Sequence, residues 1–248
     1  MAGIRYFVQG SDSIDIAAPA EASETDIRLW LLGTVVAALL HQRGYLPIHA
    51  NIVGTGTCAA AFAGESGAGK STLAAWMDAR GHEVLADDLC AVRLETNGVP
   101  SVFEGIPRMK LWAETLSAFG RTSQGLERVG SGVDKYHVAM GRAARIGSLS
   151  PLRLERVYVL DRTAPSEGLR IERLTGAVAA QAVLANAFRW GLGQLIQREE
   201  RTQFDQCMDV ARHAAVFRVR RTWDLEHFGE EASAIERHLM TPLEELRA

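Results

Sequence analysis

Lysine is nearly absent from this chain: Lys70, Lys110 and Lys135 stand against 24 arginines in 248 residues. Cysteine is as sparse. Cys58, Cys90 and Cys207 are odd in number and far apart, a spacing that fits neither a disulfide framework nor a zinc site. They read as small buried side chains in a reducing, cytoplasmic interior. Long hydrophobic runs are missing too. The longest, 29–40, contains Gly33 and Thr34, is too short to span a bilayer, and has Asp26, Arg28 and Arg43 close by. A buried helix is the better reading. The first residues lack the basic start and apolar stretch of a signal peptide. Charge of one sign is also lacking. A net charge of −3 and a pI near 6.2 give no electrostatic reason to expect nucleic acid or an anionic membrane as partner.

What is present is 47% hydrophobic, enough for one substantial core. No repeat or Pro/Ser linker divides residues 1–248, which read as a single domain with a short extension over about 1–24. Strands are expected at 4–9 and 13–16, then a helix capped by Thr25 or Asp26 and running to about 42. Further strands are expected at 48–53, 57–63, 83–86 and 89–94, with a short helix at 111–119. The stretch 120–150 has six glycines and little periodicity, and reads as one long loop. Strands at 154–160, 169–174 and 215–221, interleaved with helices, complete an α/β or α+β pattern with a mixed sheet.

The densest signal is Gly64-Glu65-Ser66-Gly67-Ala68-Gly69-Lys70-Ser71, followed by Thr72. This is the complete G-x-x-x-x-G-K-[ST] phosphate loop. Glycines let successive amides face one anion, the lysine reaches the β/γ-phosphates, and the serine hydroxyl is a Mg²⁺ ligand. A small apolar strand precedes it and helical composition follows, so a helix N-terminus faces the phosphates. ATP or another nucleoside triphosphate, with Mg²⁺, is the implied cofactor.

Past the loop, Val84-Leu85-Ala86-Asp87-Asp88 is an apolar strand ending in paired acids. One acid there can hold Mg²⁺ and a second can accept a proton from a hydroxyl. Adjacent acids in a strand would point to opposite faces, which permits two roles. The ordered set of His49, the loop, and Arg80-Gly81-His82-Glu83-Val84-Leu85-Ala86-Asp87-Asp88 resembles the catalytic core of the HPr serine kinase/phosphorylase family. That resemblance implies Asp87 as general base, Asp88 and Ser71 at the metal, and His49 and Lys70 beside the transferred phosphate. The glycine-rich signature that follows the acids in those kinases is not recognisable here, so reverse phosphorolysis and HPr itself are not implied. The segments 42–50 and 107–112 are similar to short stand-alone HPr-kinase-like proteins, some of which phosphorylate the C-terminal serine of a lasso-peptide precursor.

The resulting expectation is a cytoplasmic kinase acting on a serine of a peptide or protein partner, with room for homo-oligomers and no membrane or nucleic-acid partner. A free-serine-type kinase and a non-catalytic nucleotide switch are the alternatives. His82 and Arg189 read as structural and surface residues, 218–221 as a solvated strand face, and Lys110 and Lys135 as evenly balanced between site and loop.

Overall fold

A computed structural model of the chain describes residues 3–130, 132–141, 150–197, 200–222 and 227–247. It begins with the expected hairpin, β1 (Arg5–Gln9) and β2 (Ser13–Ala17). The helical segment after it differs from expectation. Ser23 is the cap, its hydroxyl accepting from the Asp26 amide at 3.1 Å. Helix α1 (Glu24–Trp30) then opens into a π-helical turn, Leu31–Val35, before α2 (Val36–Gln42). The irregular turn falls on Gly33 and Thr34, both weak helix formers.

Strands β3 (Leu46–Ile48), β4 (Ala50–Gly54) and β5 (Cys58–Gly64) lead into helix α3 (Lys70–Ala79). Next come β6 (Val84–Ala86), β7 (Cys90–Leu94) and β8 (Pro100–Val102). Then follow β9 (Arg108–Trp112), α4 (Ala113–Ala118) and β10 (Lys135–Ala139). The remainder is β11 (Leu152–Arg162), β12 (Arg170–Leu174), α5 (Gly176–Ala185), α6 (Trp190–Gln197), α7 (Glu200–His213), β13 (Ala215–Arg221) and α8 (Phe228–Met240).

The main sheet is mixed, in the order β3-β7-β8-β11-β5-β4-β6, with β13 beside β11 and β12 beside β13. Strands β5, β11 and β13 run parallel, so the C-terminal ends of β5 and β13 emerge at the same edge. Helices pack on both faces, which makes this an α/β fold with a mixed, helix-flanked sheet. Period-two alternation explains the two cores. Ala60 and Phe62 of β5 join one apolar cluster, while Ala59, Ala61 and Ala63 join the other. A register shift between Leu154 and Arg156 of β11 inverts the parity, so Leu154 and Val157 share a face. On the first face Phe62, Tyr158 and Phe217 stack across the three parallel strands, with ring centroids 5.1 and 5.2 Å apart.

The stretch 120–150 is not one loop. It contains β10, antiparallel to β9, with Tyr136, Val138 and Met140 buried. The apolar alternation is only three residues deep between glycines, too short to stand out in sequence. Residues 142–149 of that stretch lie outside the described residues. Leu111 and Trp112, expected in a helix, end β9 instead, and the helix begins at Ala113. Among the described residues, no helix is long and apolar enough to cross a membrane.

Candidate functional site

The loop leaves β5 at Gly64, whose φ of +144° and close approach to β11 demand glycine: a Cβ would lie 2.7 Å from the Leu160 carbonyl. Gly69, at φ +75°, has a second reason. A Cβ there would run into the guanidinium of Arg221. Between them the loop closes on its own lysine. Lys70 Nζ donates to the Gly64 and Glu65 carbonyls at 2.7 and 2.9 Å. Burial, opposed by the charge of Asp88 and aided by Lys135, lowers its pKa to about 8. Thr72, one turn into α3, shares a hydrogen bond of 3.3 Å with Thr115. Ser66, Gly67, Gly69, Lys70, Ser71 and Thr72 line a cavity of about 660 Å³ that also reaches His49, Asp88 and Lys135. Ala68 is buried and faces away from that cavity.

The two acids sit just beyond β6. They do not alternate as neighbours in a strand would, because Asp88 is left-handed at φ +69° and the Leu89 amide folds back to the Asp87 carbonyl at 2.9 Å. Asp87 is held by three donors: Asn51 Nδ2 at 2.7 Å, Ser71 Oγ at 3.1 Å and the Lys110 amide at 2.7 Å. Burial and the adjacent Asp88 charge nevertheless raise its pKa to about 6. Asp88 has the opposite environment. Its burial raises the pKa, but Lys110 and Lys135 outweigh that and bring it to about 2. Lys110 Nζ donates to Asp88 Oδ2 at 2.7 Å, and His49 Nε2 stands 3.7 Å from Oδ1. Burial and the charge of Lys70 lower the His49 pKa to about 4, so its ring is neutral at pH 7.

One strand therefore serves both acids, with the Lys110 backbone on Asp87 and its side chain on Asp88. Lys135 comes from the neighbouring β10 and lies 5.7 Å from the Trp112 ring centroid. All three lysines of the chain meet at this site.

His49, Lys70, Ser71, Asp87 and Asp88, picked out in the sequence, are thus brought together. The pairing among them differs from expectation: Ser71 is bonded to Asp87, not Asp88. Sequence reasoning missed Asn51, a polar residue inside the wholly buried strand β4. It also missed Arg221, which is 4% exposed rather than solvated. Arg221 ends β13 at the edge where β5 ends. Its guanidinium donates to the Ala68 carbonyl at 3.2 Å and lies 3.7 Å from Glu231, which in turn accepts from the amide and hydroxyl of Thr222. A parallel strand ending beside the loop was the available signal. His82 is structural, as read, but its partner is Glu236 of α8 at 2.7 Å. Arg189 is not a plain surface residue. It lies at φ +55° on the wall of a second cavity.

Among the described residues, no cluster of three or more His, Cys, Asp or Glu could hold a metal ion by itself. The donor set suits Mg²⁺ in another way, since that ion leans on one or two carboxylates plus phosphates and water. The Ser71 hydroxyl and Asp87 carboxylate fit this, and the buried Asn51 Oδ1 beside them has no hydrogen-bond partner.

No family model and no curated protein matches the chain. Among solved structures, the Hpr(Ser) kinase/phosphatase from Coxiella burnetii aligns over 78% of this chain and 92% of its own, with 12% identity and a TM-score of 0.36. That likeness is distant.

Proposed function

We propose that the protein is a nucleoside triphosphate- and Mg²⁺-dependent kinase that phosphorylates a serine hydroxyl of a peptide or protein. The carrying observation is the convergence of three lysines with two unequal acids at the loop: Lys70, Lys135 and Asp88 line its cavity, Lys110 is bonded to Asp88, and Ser71 to Asp87. Phosphoryl transfer asks little covalent chemistry of a protein and much positioning and positive charge.

The geometry favours roles opposite to those carried by the resemblance. Asp87, half-buried, is gripped by three donors, one of them Ser71, so these two would hold the metal. A Mg²⁺ ion held by them would supply charge neutralisation to the transferring phosphoryl group. Asp88 stands where both cavities meet and has its Oδ1 free of Lys110. It would orient the acceptor hydroxyl and take its proton as the oxygen–phosphorus bond forms and the bond to the β,γ-bridging oxygen breaks. A carboxylate with so low a pKa is a weak base, but the hydroxyl becomes strongly acidic once bonded to phosphorus. His49, neutral, completes the junction, and Lys70 holds the leaving phosphate. The finer reading, a C-terminal serine of a lasso-peptide precursor, is supported by the sequence resemblance alone.

Transfer of label from γ-labelled ATP to serine peptides tests the proposal. Transfer by the wild type, lost in Asp88→Asn with nucleotide binding retained, is expected. Binding of ATP without transfer to any serine, or steady hydrolysis indifferent to Asp88, would leave a switch or an ATPase instead.

A further inference from the structure

A second cavity, of about 450 Å³, lies on the far side of the acids. It shares only His49 and Asp88 with the phosphate-loop cavity. Its wall is apolar, built from Leu29, Leu32, Val36, Leu89, Phe103 and Phe188. Four separate parts of the chain supply these side chains, and the π-helical turn at Leu31–Val35 puts Gly33 among them.

The far wall is fixed in place. The Phe188 amide donates to the Pro47 carbonyl and the His49 amide to the Asn186 carbonyl, both at 2.8 Å, and the Phe188 ring lies 5.6 Å from that of His49. Two cations, Arg108 and Arg189, share the lining with Glu104 in addition to the site's own charges. Neither arginine has an ion-pair partner among the described residues.

Resting on the kinase reading above, we infer that this cavity receives the acceptor chain and selects a bulky apolar side chain next to the acceptor serine. Continuity with the site carries the argument. A hydroxyl presented to Asp88 from the side away from the loop must come through this space, whose volume lies within the range of ligand pockets. Free serine would leave most of it empty and would place a polar ammonium and carboxylate against apolar walls. A lysine or arginine beside the serine would have to shed its hydration against apolar walls. An apolar neighbour of the serine fits this wall.

Gly33 offers a direct handle. It lines the cavity, its backbone is not left-handed, and a Cβ built there meets nothing within 4 Å. Gly33→Leu fills part of the cavity and favours the helix, so the fold is retained. Serine peptides differing only in leucine or lysine beside the serine are compared in two assays. One is transfer from γ-labelled ATP; the other is calorimetric binding in the presence of a non-hydrolysable ATP analogue. The leucine peptide is expected to be preferred by about 10–200-fold in kcat/KM. Gly33→Leu should lower kcat/KM for it at least about tenfold, with Gly33→Ala between it and the wild type, while the nucleotide Kd changes little. Equal use of both peptides, or an unchanged kcat/KM for the leucine peptide in Gly33→Leu, overturns the inference and leaves the kinase reading standing. Preferential binding of the leucine peptide without any transfer would do the reverse, upholding the cavity and removing the kinase. Equal binding without transfer overturns both.

Discussion

The two cavities that meet at Asp88 are built in contrary ways. The phosphate side is the more polar of the two, and one contiguous stretch, 66–72, is its largest single contributor; on the proposed reading, the backbone shape and single lysine of that stretch do the binding. The other side is apolar and is assembled by side chains from helices, strands and a loop far apart in the chain. Phosphates look alike in every nucleotide, so a fixed local motif can serve them. An acceptor differs from one kinase to the next, and its pocket is set by tertiary packing. Asp88 lines both cavities and stands on the boundary, whereas Asp87 lines the apolar one and reaches the loop through its bond to Ser71.

The sharpest way to break this contrast is to disable the phosphate side alone. Lys70→Ala should abolish measurable transfer and remove most affinity for ATP–Mg²⁺, because Lys110 is already committed to Asp88. Its circular dichroism should match the wild type. Wild-type ATP affinity in this variant would show that the loop is not the phosphate site.

Arg221 tests whether the phosphate side is more than its motif. Removing one partner of a buried ion pair leaves the other charge uncompensated, so Arg221→Met should cost about 3 kcal/mol of stability by urea unfolding. Converting Glu231 to Met as well should recover part of that loss. If the double variant is no more stable than the single one, the pair does not act as a unit.

A smaller effect sharpens the comparison from behind the loop helix. Arg80 and His82 both hold Glu236 on α8, at 2.8 and 2.7 Å. Burial raises the Glu236 pKa, but these hydrogen bonds outweigh it and the net shift is downward. A carboxylate lowered on folding adds stability above its unfolded pKa and loses it as pH falls through the folded one. Glu236→Gln should therefore lower stability by about 1 kcal/mol at pH 7, with the difference fading below about pH 4. Discrimination between the leucine and lysine peptides should not change, since α8 does not line the acceptor cavity. A pH-independent difference would assign the effect to packing.

The same contrast explains what could be read in advance. Strand β5, the loop, α3 and the acids after β6 follow from local pattern: an apolar run, glycines at fixed offsets, a lysine in a chain that hardly uses lysine. Strand β13 was legible for the same reason. Asn51, Arg221 and the dual role of Lys110 were not, because each acquires its partner from 20 or more residues away. The placement of the two acids was not legible either, because the left-handed backbone at Asp88 breaks the strand alternation, and no spacing rule anticipates that in a residue other than glycine. Strand β10 was hidden among glycines. The π-helical turn at Gly33, which shapes the acceptor cavity, looked like a plain stretch of buried helix.

The central claim is the division of labour between the acids, and one paired measurement tests it most directly. Asp87→Asn and Asp88→Asn are compared for Mg²⁺-dependent ATP affinity at equilibrium and for the rate of a single turnover with saturating nucleotide and an acceptor peptide. The account predicts that Asp88→Asn keeps near wild-type affinity and slows transfer by roughly 10²–10⁴-fold, whereas Asp87→Asn chiefly weakens the Mg²⁺-dependent binding. The opposite pattern, with Asp88→Asn losing the metal and Asp87→Asn losing only the rate, would contradict it.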